Sequence, residues 1–83
     1  MKTTIEISNY PLTLEYESQI LDFIERIKQY PAIQIKVNTT STHLVGDFDE
    51  VMTALNKEIK TSFEKFGQMI FVVKVLKGAL ELY

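Results

Sequence analysis

Residues 32–47 of this chain read AIQIKVNTTSTHLVGD, two alternating segments on either side of a polar run. In the first segment apolar residues alternate with polar ones, which predicts a strand from Ala32 to Asn38 with one buried face. Residues 38–42 are small and polar, of the types that favour turns, and they lead into a second short apolar segment at 43–46. The pattern predicts a hairpin of two antiparallel strands.

The residues before this hairpin predict a strand followed by a helix. Residues 3–10 alternate in the same way, and Pro11 ends the strand because it lacks a backbone donor. Thr13 is the expected N-cap of a helix that extends to about Tyr30, where Pro31 disfavours helical geometry in the residue before it. The apolar side of this helix is formed, at helical spacing, by Ile20, Leu21, Ile24 and Ile27.

The residues after the hairpin predict a second helix and a last strand. Asp47 and Glu50 have the spacing of a capping box, which marks the start of a helix. This helix is expected to end near Phe66, with Gly67 in the left-handed conformation of a C-cap. Residues 69–77 then form a strand with apolar side chains of both parities, so both of its faces are expected to be covered.

The predicted order of strand, helix, strand, strand, helix, strand is typical of the ferredoxin-like βαββαβ fold. This is an α+β architecture with a four-stranded antiparallel sheet and two helices on one face. A two-layer fold with another strand order is an alternative. The helices are expected to cover Ile5, Ile7, Ile33, Ile35, Val37, Leu44, Phe71 and Val73. The open face is expected to carry Glu6, Ser8, Tyr10, Gln34, Lys36, Asn38, Ser41, His43, Ile70, Val72 and Lys74, a mixture that suits a subunit interface or a ligand site.

Length and composition predict one globular domain over residues 1–83, because 46% of the residues are hydrophobic and 24% are charged. The net charge of -2, from 9 Lys+Arg and 11 Asp+Glu, argues against nucleic-acid binding. Without cysteine the small core has no disulfide to stabilise it, so self-association is expected. The absence of a secretory signal or a long apolar stretch predicts a cytoplasmic protein without membrane insertion.

Few residues offer catalytic chemistry. His43 is the single histidine, and no nucleophile or set of metal donors accompanies it at a suitable spacing. An ordinary strand histidine is the simpler interpretation. Helix capping explains the acidic residues Asp47, Asp49 and Glu50 better than a metal site does. The sequence therefore predicts that the chain is not an enzyme and has neither catalytic residues nor metal ligands.

Two polar features are candidates for ligand binding. The run from Asn38 to Thr42 places small donors and acceptors in one bend, although turn chemistry explains it equally well. Glu6, on a central strand, needs a cation if its face of the sheet is covered. A cationic ligand would provide one, and so would a cross-strand pair with Lys36 or Lys74.

A family resemblance extends over nearly the whole chain. It is carried by ISNYPL at residues 7–12, VNTTSTHLVGD at residues 37–47, and Lys77-Gly78 after the last strand. These segments resemble the YkoF-like family, which binds thiamine or hydroxymethylpyrimidine without known chemistry. Its members have ferredoxin-like domains that associate through their sheets. The resemblance implies that this chain binds a thiamine-like molecule as a homodimer or homotetramer and needs no other cofactor.

The resemblance also implies roles for particular residues. Tyr10, with Pro11 at the strand end, is implied to bind ligand, and Gly46 is implied to be structural. The implied hairpin residues are Asn38, Thr39, Ser41 and Thr42. The predicted open face adds Glu6, Ser8 and His43.

Thiamine itself requires a carboxylate or aromatic face for its thiazolium and paired donors and acceptors for its aminopyrimidine. The site is expected on the open face at a subunit interface, because a single-domain chain needs a second copy to complete the pocket. A regulatory or oligomerisation module of the same fold, sensing another small molecule, is the alternative. An enzyme comes third and would need His43 close to Glu6 together with an unusual titration.

Overall fold

The structure, a computed structural model, describes residues 1–81 of the chain. Its elements follow in the order β1 (Lys2–Pro11), α1 (Tyr16–Ile27), β2 (Gln34–Val37), β3 (Thr42–Asp47), α2 (Phe48–Lys65) and β4 (Met69–Lys77). The four-stranded sheet has the order β2-β3-β1-β4, and every strand pair is antiparallel. The predicted α+β ferredoxin-like βαββαβ fold is confirmed.

The core lies between one face of the sheet and the two helices. Its buried side chains come from both layers and are Ile5, Ile7, Phe23, Ile27, Ile33, Leu44, Val51, Ala54 and Leu55. Alternate residues of β1 and β3 thus face the helices, as the sequence pattern predicts. Phe71 of β4 extends this core, with its ring centroid 5.1 Å from that of Phe23 and 5.7 Å from that of Phe63.

The start of α1 differs from the predicted cap. The N-cap position is held by Glu15 rather than Thr13, and no side chain caps the helix there. Thr13 Oγ1 instead accepts a hydrogen bond from Gln19 Nε2 at 3.2 Å. The Thr13 hydroxyl thus accepts from a side chain and not from a helix N–H, and the helix begins only at Tyr16.

The helix α2 begins and ends where predicted, but its capping contacts differ from prediction. Asp47 occupies the N-cap position, but its side chain makes no capping hydrogen bond. The N–H of Phe48 instead donates to the carbonyl of Met1 at 2.8 Å, so the residue before β1 provides an acceptor at this helix end. Phe66, in an extended conformation, ends the helix. The predicted left-handed Gly67 is wrong, since Gly78 is the residue with positive φ among residues 1–81.

The edge strand β2 is shorter than predicted. It begins at Gln34 because the N–H of Ile33 donates to the carbonyl of Tyr30 at 3.1 Å in a turn. Val37, at the other end of β2, is 46% exposed, so the prediction that the helices cover it is wrong. As the last residue of an edge strand, it lies beyond the part of the sheet that the helices bury.

A network of charged and polar side chains joins the two helices. Arg26 of α1 donates to Glu58 Oε1 of α2 at 2.7 Å and to Asp22 Oδ2 at 2.9 Å. The hydroxyl of Tyr30 donates to Glu58 Oε2 at 2.6 Å, and Lys65 donates to Asp22 Oδ1 at 2.7 Å. Burial opposes ionisation of Glu58, but the hydrogen bonds from Tyr30 and Arg26 outweigh it, so its pKa is lowered.

The second face of β4 is open. Ile70, Val72 and Leu76 are each about half exposed, so the described part of the chain does not provide the predicted cover over both faces. These side chains share the open face with Glu6, because their strand pairs with β1 residue by residue. Among the helices of residues 1–81, none is long and apolar enough to cross a membrane.

Candidate functional site

The central strand β1 extends beyond the strand next to it. β3 pairs with residues 2–7, whereas β4 pairs with residues 3–11. Residues 8–11 therefore have a neighbouring strand on one side only. The cause is the hairpin, in which the N–H of Asn38 donates to the carbonyl of Ser41 at 2.8 Å and turns the chain before it reaches them.

A cavity of about 650 Å³ occupies the space beside this unpaired end of β1. Its walls are residues 7–12, one side of α1 between Tyr16 and Ile24, and residues 37–42 of the hairpin. The volume lies within the usual range of small-molecule sites. Since three separate segments meet here, the cavity is a product of the fold and not of any local motif.

The cavity brings together most of the residues predicted to bind ligand. The wall contains Ser8, Tyr10, Asn38, Thr39, Ser41 and Thr42, whereas the predicted residues Glu6 and His43 are not part of it. Thr42 is buried and lies on the helix side of the sheet, because it is the register partner of Ile7. Tyr10, another residue of the wall, is 51% exposed.

Glu6 and His43 lie next to the hairpin on the open face. Glu6 Oε1 is 3.2 Å from Lys74 Nζ, so the predicted cross-strand ion pair with this lysine is present. Its other oxygen accepts a hydrogen bond from Ser41 Oγ at 3.1 Å and lies 3.4 Å from His43 Nε2. The hydrogen bond from Lys74, followed by that from Ser41, lowers the pKa of Glu6. Glu6 is therefore a stable anion with partners in its own chain.

Side-chain hydrogen bonds tie the hairpin to the sheet. Asn38 Nδ2 lies 2.6 Å from His43 Nδ1, and because an amide nitrogen only donates, this contact assigns Nδ1 as the acceptor. Ser8 Oγ donates to the carbonyl of Thr40 at 3.1 Å. With the bond from Ser41 to Glu6, these contacts hold the hairpin wall of the cavity in place, so little ordering is left for a ligand to impose.

Sequence analysis missed Asn9, which also lines the cavity. Its side-chain Oδ1 and Nδ2 are both buried, and neither has a hydrogen-bond partner within residues 1–81. An unpaired buried polar group typically costs about 1–3 kcal/mol. A signal was present in the sequence, since Asn9 continues the helix-facing parity of Ile5 and Ile7 with a polar side chain.

The residues of α1 that line the cavity were not predicted from the sequence either. Tyr16, Glu17 and Leu21 of α1 line the cavity, and Leu21, which helical spacing assigned to the core, is 52% exposed. Helical periodicity indicates which side of a helix is apolar but not whether a sheet or a cavity lies opposite. Glu17 adds a carboxylate to an otherwise mostly apolar wall.

Other parts of the described chain offer less chemistry. A second cavity of about 390 Å³ lies at the other end of the molecule, between the α1–β2 connection and the start of α2. It contains no residue predicted to bind ligand. Within residues 1–81 no cluster of His, Asp or Glu could hold a metal ion.

Comparison with known proteins finds similarity in structure but not in sequence. No family model and no curated protein matches the chain. A "putative thiamine biosynthesis/salvage protein" from Thermotoga maritima has a TM-score of 0.87 at 16% identity, covering 99% of this chain and 91% of that one. A Streptococcus pneumoniae protein also has a TM-score of 0.87, at 23% identity, covering 96% of this chain and 90% of that one. The chain shares their fold.

A third solved structure has the same architecture. It is a domain of unknown function, DUF77, from Bacillus cereus, with a TM-score of 0.79 at 17% identity. The similarity covers 99% of this chain and 84% of that one. At such identities the similarity extends to the fold, and the ligand has to be argued from the site itself.

Proposed function

We propose that the protein binds thiamine or its hydroxymethylpyrimidine moiety, without catalysing a reaction, in the cavity beside residues 8–11. The observation that carries this proposal is the shared wall of Ser8, Tyr10 and the hairpin residues from Asn38 to Thr42. The family resemblance implies most of these residues on other grounds. The name of the Thermotoga maritima protein, which has the same fold, supports the same class of ligand.

The chemistry of the wall suits both parts of thiamine. The hydroxyl oxygens of Ser8 and Ser41 and Oδ1 of Asn38 offer acceptors to a flat aminopyrimidine, and the second N–H of the Asn38 amide offers a donor. Tyr10 and Glu17 suit the cationic thiazolium, the first through its exposed aromatic ring and the second through its carboxylate. Glu6, which is already paired with Lys74, acts by anchoring the hairpin and not as the direct partner of the cation.

A second copy of the chain is part of the proposal. The open face carries the half-exposed side chains of Ile70, Val72 and Leu76 around the charged pair of Glu6 and Lys74. Sheet-to-sheet association into a homodimer or homotetramer would cover this apolar row. Because Tyr10 is the register partner of Ile70 in this row, a second subunit would also lie beside Tyr10 and complete the site at a subunit interface.

The direct test is the Tm at fixed protein concentration with and without thiamine or hydroxymethylpyrimidine. A ligand at about 100 times its Kd adds about 2.7 kcal/mol, and each kcal/mol moves the Tm of such a small domain by about 4–8 °C. The double variant Glu6→Ala/Asn38→Ala should lose most of this shift. Its matched control is Asn56→Ala/Glu64→Ala, which changes the same residue types at exposed positions of α2. An equal shift in both double variants would refute the site.

The apolar row on β4 also favours the alternative function, a regulatory or oligomerisation module of the same fold. In that case the open face is an apolar dimer contact and the cavity senses another small molecule. Amino acids measured beside thiamine in the same assay separate the two functions. A shift with an amino acid and none with any thiamine-like compound would favour the module.

A further inference from the structure

Asn9 is a polar residue in an apolar position. It follows Ile5 and Ile7 on the helix side of β1, where both isoleucines are buried in the core. Both polar atoms of its side-chain amide are buried and unpaired among residues 1–81. Gln19 also has a buried unpaired oxygen, but its amide nitrogen still donates to Thr13. Of these two amides, that of Asn9 is the one left entirely unpaired, and its residue borders the cavity.

The backbone of Asn9 faces the same space. Along β1 the N–H of Leu12 donates to the carbonyl of Gln68, and the carbonyl of Lys2 accepts from the N–H of Gly78, so even-numbered residues bond toward β4. Neighbouring residues of a strand point their N–H and C=O groups in opposite directions. Those of Asn9 therefore point to the side where β3 has ended and the cavity begins.

We propose that Asn9 determines the ligand specificity of this cavity. Its side-chain amide would form two hydrogen bonds with the edge of a planar ligand that has a donor beside an acceptor. An exocyclic amino group would donate to Oδ1, and the adjacent ring nitrogen would accept from Nδ2. Asparagine uses this paired geometry on the amino group and ring nitrogen of adenine. The inference rests on the proposed function and names the aminopyrimidine as the part of thiamine that reaches the inner wall.

The amide of Asn9, buried and unpaired in the described part of the chain, lowers the stability of the protein without ligand, and a purely structural role for this asparagine would not explain that cost. An asparagine needed for the fold would have partners in the fold, as buried amides ordinarily do. An asparagine whose side chain binds a ligand is unpaired until that ligand is present. Replacing it with leucine, which has a similar size and no polar atoms, should therefore stabilise the empty protein while removing recognition.

The experiment compares Asn9→Leu with Asn56→Leu, which places the same change at an exposed position on α2. Without ligand, Asn9→Leu should raise the Tm by at least about 4 °C. Its affinity for thiamine and for hydroxymethylpyrimidine, measured by calorimetry, should fall roughly 10- to 100-fold. Asn56→Leu should keep the affinity of the natural chain. Unchanged affinity, or a lower Tm, in Asn9→Leu would overturn the inference.

A probe pair separates this inference from the proposed function. 4-Aminopyrimidine has the donor–acceptor edge, and unsubstituted pyrimidine lacks the donor. If neither thiamine nor hydroxymethylpyrimidine binds the natural chain, the proposed function fails. The role of Asn9 then stands only if 4-aminopyrimidine binds in preference to pyrimidine and loses this preference in Asn9→Leu, and it falls if the two compounds behave alike.

Discussion

Arg26 and Glu58 lie 2.7 Å apart between α1 and α2, with Nη1 of the guanidinium donating to Oε1 of the carboxylate. The side chains are 19% and 8% exposed, so this is a largely buried ion pair and not a surface contact. The Arg26 guanidinium also donates to the carbonyl of Glu58 and to the hydroxyl of Ser62. One side chain thus satisfies several acceptors of the opposite helix.

Arg26→Met should therefore lower the free energy of unfolding by about 3 kcal/mol, because it leaves the Glu58 carboxylate buried with Tyr30 as its remaining partner. Urea denaturation measures the change. Lys28→Met, which removes the exposed pair with Glu25, is the control and should cost less than about 1 kcal/mol. Equal effects of the two substitutions would show that burial does not matter at Arg26.

Acid should destabilise the protein. Burial opposes ionisation of Glu58 and Asp22, but hydrogen bonds outweigh it and lower both pKa values from 4.5 and 3.8. Those bonds come from Tyr30 and Arg26 at Glu58, and from Lys65 and Arg26 at Asp22. A lowered pKa in the folded state contributes stability above the unfolded value, and this stability is lost as pH falls through the folded value. Urea denaturation from pH 6 to pH 3 should show a decline that begins near pH 5. Glu58→Gln should flatten it, and a flat profile in the natural chain would contradict the network.

His43 should carry its proton on Nε2 when it is neutral, because Nδ1 accepts from Asn38 Nδ2. Nitrogen NMR of the single imidazole distinguishes the two tautomers directly. Asn38→Ala removes the donor to Nδ1 and should shift the tautomer populations, whereas Asn56→Ala should leave them unchanged. A proton on Nδ1 in the natural chain would reverse the assigned orientation of the Asn38 amide.

Association through the open face can be tested with two valines of one strand. Val72 and Val75 of β4 are 48% and 52% exposed, but they lie on opposite faces of the sheet. Sedimentation should show that Val72→Lys converts the proposed oligomer to a monomer, since it adds a charge beside Lys74 in the apolar row. Val75→Lys should leave the mass unchanged. Loss of the oligomer in both variants, or in neither, would argue against this interface.

Substitution by alanine should have different effects on the free energy of unfolding at Gly46 and at Gly67. A Cβ at Gly46 would lie 3.0 Å from Val51 Cγ2 and 3.2 Å from the carbonyl oxygen of Ala32, whereas nothing lies within 4 Å of a Cβ at Gly67. Gly46→Ala should therefore cost roughly 1–3 kcal/mol in chemical denaturation. Gly67→Ala should be neutral or slightly stabilising, because it restricts the unfolded chain. A tolerated alanine at position 46 would refute the structural role of its glycine.

The periodicity of the sequence was sufficient for the order of the elements and for the side of each central strand that faces the core. Alternation at Ile5 and Ile7 is a local property that a half-buried strand imposes, so it could be interpreted without knowing the neighbours. The last strand was predicted with its observed bounds, Met69–Lys77. The pairing of Glu6 with Lys74 followed from the same alternation, although Lys36 was an equal candidate until the register was known.

The contacts at the helix starts depended on partners that the capping motifs do not include. The capping motif placed the start of α2 correctly at Asp47, but the N–H of Phe48 donates to the carbonyl of Met1. At α1 the Thr13 hydroxyl accepts from Gln19, and the helix starts later than its predicted cap. The exposure of two apolar side chains also depended on the tertiary structure. Leu21 and Val37 have core-like spacing, but the sheet does not cover Leu21 and the helices do not cover Val37.

The amino-acid sequence by itself therefore determined the βαββαβ order, the core face and the polar character of the hairpin, because each arises from residues that are neighbours along the chain. Only the tertiary structure decided that β1 extends past β3 and that α1 borders the resulting space. That difference depends on two registers at once, one with β3 and one with β4. It brings Asn9 and Asn38 to one cavity, because sheet pairing and helix packing close the space between segments that the sequence keeps apart.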